Sequence, residues 1–280
     1  MSKYRTATKN GCPTNWKYAV EKWTIVCKEI NVSPLMSAAA SFWGTGILVL
    51  FIFGGSLGFN SIVNVTPDLA RHAFYIVPFI HLAGIFVVQS TIFQVAGTGN
   101  PGLTLALWAG GKISSREAIS NVLSSTLAWV LFSAIFLIDT PESTMIASIP
   151  ALQDGIGFGL GLFWEFIASF AWGLPLMFVV GKPDQNLSVG FGLGAGMFIA
   201  WHKTRGALNM HRVLGPAIAL LFKGNTDYWT TDVFSYILGS PLGFLAAVAV
   251  YYFSFHMTVD QCAKSKSKLE PACIPAGPNC

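Results

Sequence analysis

Charged residues are scarce in this chain of 280 amino acids. Aspartate, glutamate, lysine and arginine make up 11% of the sequence, whereas hydrophobic residues make up 53%. A soluble domain carries roughly 25% charged residues, because its surface faces water. The composition therefore excludes a soluble enzyme, and the lack of a basic stripe with interleaved aromatic residues excludes a nucleic-acid binder. The chain is predicted to be an integral membrane protein.

Cysteine is missing from the whole interior of the chain, since all five cysteines lie in the terminal segments. An odd number of cysteines outside the apolar runs argues against a disulfide framework. They are Cys12, Cys27, Cys262, Cys273 and Cys280. No nucleophile elbow, P-loop or pair of catalytic carboxylates is present, and His81 and His256 stand alone in their apolar runs. We therefore expect no enzyme, no metal site and no haem or other cofactor.

A cleavable signal peptide is also lacking, because residues 1–34 are polar and basic and contain no apolar run of spanning length. A membrane-spanning helix needs about 20 apolar residues. Runs near this length follow at about 36–59, 73–95, 118–138, 156–180 and 232–256. A shorter run, Leu187–Trp201, has glycine at every second position from 190 to 196, which allows close packing of helices. Six spans are predicted.

Two further apolar pieces are too short to cross a membrane. Leu103–Gly110 follows Asn100-Pro101-Gly102, and Val213–Phe222 follows Asn209-Met210-His211-Arg212. A half-length helix at membrane depth is tolerated only inside protein or against a water-filled cavity. One such piece after the second span and one after the fifth indicate an internal duplication. We predict repeats at about 36–138 and 156–256, between terminal tails 1–35 and 257–280.

The distribution of charge predicts the orientation in the membrane. Cytoplasmic segments carry an excess of lysine and arginine. Six of the 17 basic residues precede Asn31, and three more follow the last apolar run. The connection 139–155 has three acidic residues and no basic one. Both termini are therefore predicted to be cytoplasmic, and this connection is predicted to face outward.

The ordered motifs resemble the aquaporin and aquaglyceroporin (major intrinsic protein) family over about residues 36–256. Asn100-Pro101-Gly102 resembles the first Asn-Pro-Ala box, and Asn209-Met210-His211 with Arg212 resembles the second. Trp164-Glu165-Phe166 is similar to the opening of the fourth span, and Ala40-Ser41-Phe42 to that of the first. The resemblance implies an all-α membrane protein with an inverted repeat of six transmembrane helices and two re-entrant half-helices, assembled as a homotetramer.

The chain departs from the family pattern at several of these positions. Met210 and His211 replace the proline and alanine of the second box, and Gly102 replaces the alanine of the first. Ser41 stands where the first span usually has a buried glutamate, and Thr98 stands in place of a histidine. These replacements leave the fold expectation intact and bear on conduction.

Asn100 and Asn209 are predicted to be pore residues, because each begins a half-helix. An asparagine at a helix start accepts a backbone N–H with its oxygen, which leaves its amide group free to donate elsewhere. Two helix starts that meet at mid-membrane direct two positive dipole ends at one point and repel cations. The alternative is that both residues only cap their helices.

Arg212 lies within an apolar stretch, where arginines usually face a wet cavity. The resemblance implies an outer constriction formed by Arg212 with Ile80, Met197 and Gly206. Water-selective members usually have an aromatic residue and a histidine at the first two positions, and neither is present. We therefore expect a wider, more apolar constriction that passes glycerol- or urea-like solutes besides water. Core packing or lipid contact is the alternative for Ile80 and Met197.

His211 and the two helix openings complete the candidate site. His211 either exchanges volume with Gly102 across the repeats, as packed cores tolerate, or lines and plugs the pore. The resemblance implies that Glu165 supports the backbone of a re-entrant loop. Because Ser41 cannot supply a second carboxylate, the loop after the fifth span is expected to be held in another way.

The sequence as a whole predicts a passive channel for water and small neutral solutes. The alternative is a non-conducting protein of the same fold, shut by Met210 and His211, that serves as a membrane scaffold or as a subunit of a larger complex. The expected partners are permeating solutes, membrane lipid and further copies of the chain, and the tails are the place for partner proteins. No nucleic acid is expected.

Overall fold

The computed structural model describes residues 33–94, 97–180 and 185–256, and this part of the chain is helical without a β-strand. The described residues from Pro34 onward belong to one compact unit. The helices are α1 Pro34–Val49, α2 Gly55–Val65, α3 Ala73–Ser90, α4 Pro101–Ala109, α5 Ser115–Phe136, α6 Glu142–Ser148, α7 Phe158–Val179, α8 Gln185–Thr204, α9 His211–Leu221 and α10 Val233–Val250. The terminal cysteines lie outside the described residues.

Each of the six predicted spans forms a long helical segment. A wide helical turn over Leu50–Gly54 joins α1 to α2 as one segment, and a similar turn over Tyr251–His256 prolongs α10. Four segments of the described chain are both long and apolar enough to cross a membrane: Pro34–Val63, Ser115–Phe136, Phe158–Val179 and Val233–Ser254. The other two spans are α3 and the glycine-rich α8, whose 20 residues extend the predicted run at both ends.

Helix α5 shows why these segments belong in lipid. From position 119 to position 135 its exposed side chains are all large and apolar, each exposed by 44% or more: Ile119, Leu123, Leu127, Leu131 and Ile135. Its inward face carries the buried Asn121, Ser125, Trp129 and Ser133. A helix of a soluble protein has the opposite arrangement, with apolar residues facing the core.

Each of the two short helices, α4 and α9, packs against a helix of the other repeat. Helix α4 packs on α10, and α9 packs on α5, so each rests against the last helix of the other repeat. Gly215 allows the second contact, because a Cβ atom there would lie 2.7 Å from the Cβ of Trp129. The pairs α1–α5 and α7–α10 pack in the same corresponding manner. The architecture thus repeats itself, as the internal duplication predicts.

One element was not expected. The connection 139–155 contains the short helix α6, with Met145 and Ser148 buried against the rest of the protein. Asn60 of α2 donates a hydrogen bond to Ser148 over 2.8 Å. The connection therefore covers the end of the helix bundle, and it forms one wall of a cavity described below.

Candidate functional site

Each short helix begins at an asparagine whose side chain satisfies its first backbone N–H groups. Oδ1 of Asn100 accepts hydrogen bonds from the N–H of Gly102 at 2.9 Å and of Leu103 at 3.4 Å. Oδ1 of Asn209 accepts one from the N–H of His211 at 3.0 Å. Asparagine suits this position because a short carbonyl side chain reaches the free N–H groups of a first helical turn.

The same two asparagines tie the repeats together in a reciprocal pair of hydrogen bonds. Nδ2 of Asn100 donates to the carbonyl of Leu208, and Nδ2 of Asn209 donates to the carbonyl of Gly99, each over 2.9 Å. Each amide thus reaches the residue that precedes the other asparagine. One N–H of each amide group is occupied, so a second N–H per asparagine remains available to donate.

The loop before α9 is held by the carboxylate of Glu165 in α7. This fully buried group accepts hydrogen bonds from the N–H of Ala207 at 2.9 Å and of Leu208 at 2.8 Å. The hydroxyl of Thr204 donates to it as well. Three donors on one carboxylate stabilise a loop in which Arg205, Gly206 and Leu208 have positive φ. A non-glycine residue in such a conformation costs on the order of 1–3 kcal/mol.

The loop before α4 is held without any charge. The hydroxyl of Ser41 accepts a hydrogen bond from the N–H of Thr98 at 3.0 Å and donates one to Oδ1 of Asn121 in α5 at 2.8 Å. Ser37 donates to the same oxygen over 2.8 Å. We call this set of Ser37, Ser41 and Asn121 the neutral relay. All three side chains are buried.

The neutral relay overturns one expectation. Ser41 was expected to leave the loop after the fifth span without its carboxylate. That loop is the one before α9, and Glu165 holds it. The substitution at position 41 affects the loop before α4 instead, because Ser41 lies beside Thr98.

Two cavities lie along the site. The inner cavity has a volume of about 80 Å³ and is lined by Asn100, Asn209 and Arg212 together with mostly apolar side chains. The outer cavity has a volume of about 440 Å³ and is lined by the ends of α3 and α8, by the connection 147–153 and again by Arg212. Since Arg212 borders both cavities, it lies at the boundary between them.

The helix faces locate this boundary further. On α3, Val77 lines the outer cavity and His81, one turn later, lines the inner cavity. On α8, Leu193 lines the inner cavity and Trp201 the outer one, with the fully buried Met197 midway between them. Residues four apart share one face of a helix. His81, Met197 and Arg212 therefore all lie near the boundary between the two cavities.

Arg212 is held in place by the loop that precedes α9. Its Nη1 donates to the carbonyl of Gly206 over 2.7 Å, and the side chain is only 5% exposed. Near it, the phenol of Tyr228 donates a hydrogen bond to the carbonyl of Pro150, which lies in the connection 139–155. Burial raises the pKa of the Tyr228 phenol, and the nearby Arg212 and Arg205 only partly oppose this, so the phenol remains a donor.

Comparison with known proteins identifies this arrangement. Residues 29–268 match the family described as major intrinsic protein. The chain belongs to the major intrinsic protein family. Members of this family are channels and not enzymes, which agrees with the absence of a catalytic set noted in the sequence.

Curated relatives and a solved structure agree with this membership. Aquaporin TIP4-1 of Arabidopsis thaliana is 28% identical over 212 residues, which is 70% of this chain and 80% of the relative. Aquaporin-1 of Rhizophagus irregularis is 26% identical over 232 residues, which is 80% of this chain and 79% of the relative. The aquaglyceroporin from Plasmodium falciparum has the same fold, with a TM-score of 0.66 at 18% identity, covering 82% of this chain and 100% of that one.

Within this member of the major intrinsic protein family, the four predicted constriction residues have different positions. Arg212 borders both cavities, and Gly206 supplies the carbonyl that binds it. Met197 lies near the same boundary and packs against Gly206, where an added Cβ would be 2.8 Å from the Cα of Met197, but neither of these two residues lines a cavity. Ile80 lies elsewhere: it is half-buried beside Gly55 of α2 and lines neither of the two cavities.

His81 occupies the place on α3 that was expected for Ile80. Successive residues of a helix point about 100° apart, so a difference of one position moves a side chain from the cavity to the neighbouring helix. Nδ1 of His81 lies 2.7 Å from the carbonyl of Val77. Because a carbonyl only accepts, Nδ1 carries the proton and Nε2 is the acceptor. Nε2 has no partner among the described residues.

The altered box residues lie away from both cavities. His211 is 1% exposed, and its Nε2 is 2.7 Å from the hydroxyl of Thr126 in α5. Met210 is half-buried at the start of α9. Neither lines a cavity. Pro101 is buried in the first turn of α4, where its missing N–H is not needed.

Gly102 is small for a reason other than an exchange with His211. A Cβ atom at Gly102 would lie 2.8 Å from the ring of Phe244 and 3.2 Å from the Cα of Pro241, both in α10. The volume that Gly102 leaves is therefore filled by α10. Gly102 and His211 therefore do not exchange volume across the repeats. Gly102 packs against α10, whereas His211 contacts Thr126 of α5.

Proposed function

We propose that this chain forms a passive channel for water and small neutral solutes such as glycerol or urea. The observation that carries the proposal is the position of Arg212. It borders an outer cavity of about 440 Å³ and an inner cavity of about 80 Å³, and the inner cavity also contains both half-helix asparagines. A solute that passes Arg212 meets the free N–H groups of Asn100 and Asn209 next.

The chemistry at the boundary favours solutes that both donate and accept hydrogen bonds. Arg212 presents N–H donors to the cavities. Nε2 of His81 is enclosed and has no partner in the described chain, so we infer that it accepts a hydrogen bond from a solute when the ring turns toward the inner cavity that this residue lines. Urea matches both, because it has N–H groups and a carbonyl, and the hydroxyls of glycerol do so as well. Gly206, without a side chain, adds no bulk at this depth. His81 in place of Ile80 makes the boundary more polar than the sequence suggested.

Ions are disfavoured along the same path. The starts of α4 and α9 meet at the two asparagines, and the partial positive charges of helix starts repel cations. Arg212 adds a full positive charge beside them. A proton carried on water would meet the same barrier. The proposed channel is therefore closed to cations and to protons.

The positions of His211 and Met210 favour a conducting protein over a shut scaffold. The scaffold alternative required these two side chains to fill the pore at the half-helix starts. His211 instead points to Thr126 on the far side of α9, and neither residue borders a cavity. Conduction is supported because neither Met210 nor His211 lines the two cavities described.

We further propose that both termini are cytoplasmic and that four copies assemble. The excess of basic residues in the tails supports the orientation. The apolar outward face of α5 supports burial against lipid or against another copy. The proposal places the outer cavity, which is bordered by the connection 147–153, on the non-cytoplasmic side.

Flux through purified protein in liposomes tests the channel. Stopped-flow light scattering is to be measured with osmotic gradients of sucrose, glycerol and urea, against protein-free vesicles. We expect water permeability above background, and permeability to glycerol or urea as well. Background permeability for all three would contradict the proposal.

The variant His81→Leu tests the boundary within the same assay. It removes the acceptor, and the loss of a hydrogen bond worth about 0.5–1.5 kcal/mol lowers urea permeability by about 2–10-fold relative to water. Ile80→Leu is the matched control, because Ile80 lies against Gly55 and outside the cavities. Equal permeability ratios in both variants would show that His81 takes no part in solute passage.

A further inference from the structure

The outer cavity has an unusual balance of charge. Arg205 and Arg212 both line it, and no aspartate or glutamate of the described chain does. A cavity of about 440 Å³ is large compared with the ~30 Å³ that one water molecule occupies in the liquid. Two guanidinium groups thus share a space that has room for a small organic anion and several water molecules.

Neither guanidinium has a carboxylate of the described chain in direct contact. Arg205 makes one hydrogen bond, from Nη1 to the carbonyl of Ala147 at 3.2 Å, and Arg212 makes one, to the carbonyl of Gly206. Across residues 33–94, 97–180 and 185–256, neither forms an ion pair. Glu165, the buried carboxylate of this region, is close enough to Arg212 to interact with it electrostatically, but its oxygens accept hydrogen bonds from the three donors of its own loop.

The remaining N–H groups of Arg212 are buried yet accessible to the cavity. Its side chain is 95% buried, since only 5% is exposed. None of its nitrogens is among the fully enclosed atoms that lack a partner, so those without a bond face open space. A buried charge is costly without a counter-charge or hydrogen bonds. An arginine in this position therefore binds an anion more strongly than one on an open surface.

We propose that the outer cavity binds a small monovalent anion, with a carboxylate such as acetate as the favoured class. A planar carboxylate matches the fork of donors on a guanidinium group, and charge-assisted hydrogen bonds of this kind are roughly twice as strong as neutral ones. The anion does not pass further, because the inner cavity is mostly apolar and offers no lysine and no second arginine among its described lining residues. The outer cavity is thus an anion-binding site, which we call the anion seat, and neutral solutes pass through the same cavity.

Trp201 lines the same cavity and reports on its occupant. The test uses the full chain purified in a neutral detergent, with iodide as an anionic quencher of tryptophan fluorescence and acrylamide as a neutral one. The chain has nine tryptophans, so the contribution of Trp201 is taken as the difference from the Trp201→Phe variant. We expect iodide to quench this contribution with saturation, and acetate to relieve the quenching by competition.

Variants at Arg205 complete the test. Arg205→Gln removes the charge and is expected to weaken iodide binding by about tenfold, as the loss of a hydrogen bond to a charged group does. Arg205→Lys keeps the charge and is expected to retain most of the saturable quenching. Equal quenching by acrylamide in all variants shows that the cavity itself is preserved.

The opposite results are equally clear. Iodide quenching that rises linearly, or that is the same in the wild type and in Arg205→Gln, would overturn the anion seat. So would a failure of acetate to compete. Because the measurement involves no flux, a failure here leaves the proposed channel untouched, and a failure of the flux assay leaves the anion seat untouched.

Discussion

Replacement of Ser41 by alanine removes the central hydroxyl of the neutral relay. The hydroxyl accepts from the N–H of Thr98 and donates to Oδ1 of Asn121. Without it, the buried N–H of Thr98 has no acceptor, whereas Asn121 keeps its second donor, Ser37. The loop that carries Asn100 then loses its attachment to α1 and α5.

The expected cost follows from these contacts. An unsatisfied buried N–H costs about 1–3 kcal/mol, and the lost bond between Ser41 and Asn121 adds about 0.5–1.5 kcal/mol. The variant should therefore lose about 2–4 kcal/mol of its free energy of unfolding, a large share of the ~5–15 kcal/mol of a typical domain. Water permeability should fall as well, because Asn100 lies on this loop.

The free energy of unfolding is to be measured by denaturant titration in mixed micelles, with tryptophan fluorescence as the signal. Ser133→Ala is the matched control. Ser133 is also fully buried, on α5, and its hydroxyl has no partner in the described structure. Its removal sacrifices no hydrogen bond, so the change should stay within about 0.5 kcal/mol.

A double-mutant cycle with Asn121→Ala isolates the pair. Contacting residues in one hydrogen-bond network show coupling energies of about 0.5–3 kcal/mol. A coupling near zero, or a loss in Ser41→Ala no greater than in Ser133→Ala, would refute the conclusion that the neutral relay holds the loop.

Three further changes test the other half-helix contacts by the same unfolding measurement and by flux. Glu165→Gln leaves one of three donors without an acceptor and should cost about 1–3 kcal/mol. Gly102→Ala restores the residue common in the family yet should cost about 1–3 kcal/mol, because the added methyl overpacks α10; Gly159→Ala, at an open helical position, should be neutral or stabilising. His211→Ala should leave the pH profile of water flux unchanged, because this imidazole lies outside both cavities.

Each of these has its own contrary result. For Glu165→Gln, the control is Ser169→Ala, which removes from the same helix a buried hydroxyl that has no partner in the described structure. Equal losses of unfolding free energy in the two variants would show that the carboxylate does not hold the loop before α9. If the Gly102→Ala protein were as stable as the Gly159→Ala protein, α10 would accommodate the added methyl group without loss of stability. A shifted pH profile in His211→Ala would support the alternative in which His211 lines and plugs the pore.

The sequence predicted the half-helices well because their signals are local. An asparagine before a short apolar run is a helix start whatever surrounds it, and α4 and α9 begin within a residue or two of Asn100 and Asn209. The runs of apolar residues located the six spans for the same reason. Both features depend on residues that are neighbours in the chain.

The features that the sequence missed depend on residues far apart in the chain. Ser41 and Asn121 are 80 positions apart, and neither is unusual by itself. A useful signal was available, since polar residues within apolar spans need partners and usually find one another. The family resemblance predicts Ile80 for the constriction, and such a prediction by position along a helix does not fix which face of the helix the residue occupies.

The reciprocal bonds of Asn100 and Asn209 have a consequence for how the chain is made. Their partners are 108 and 110 positions away, so the first half-helix leaves the ribosome long before its carbonyl acceptor exists. At roughly 5–20 residues per second, the delay is about 5–20 s. During that interval α4 also lacks α10, the helix on which it finally packs. The contacts that hold the early half-helix in its final place therefore form only after the second repeat has been synthesised.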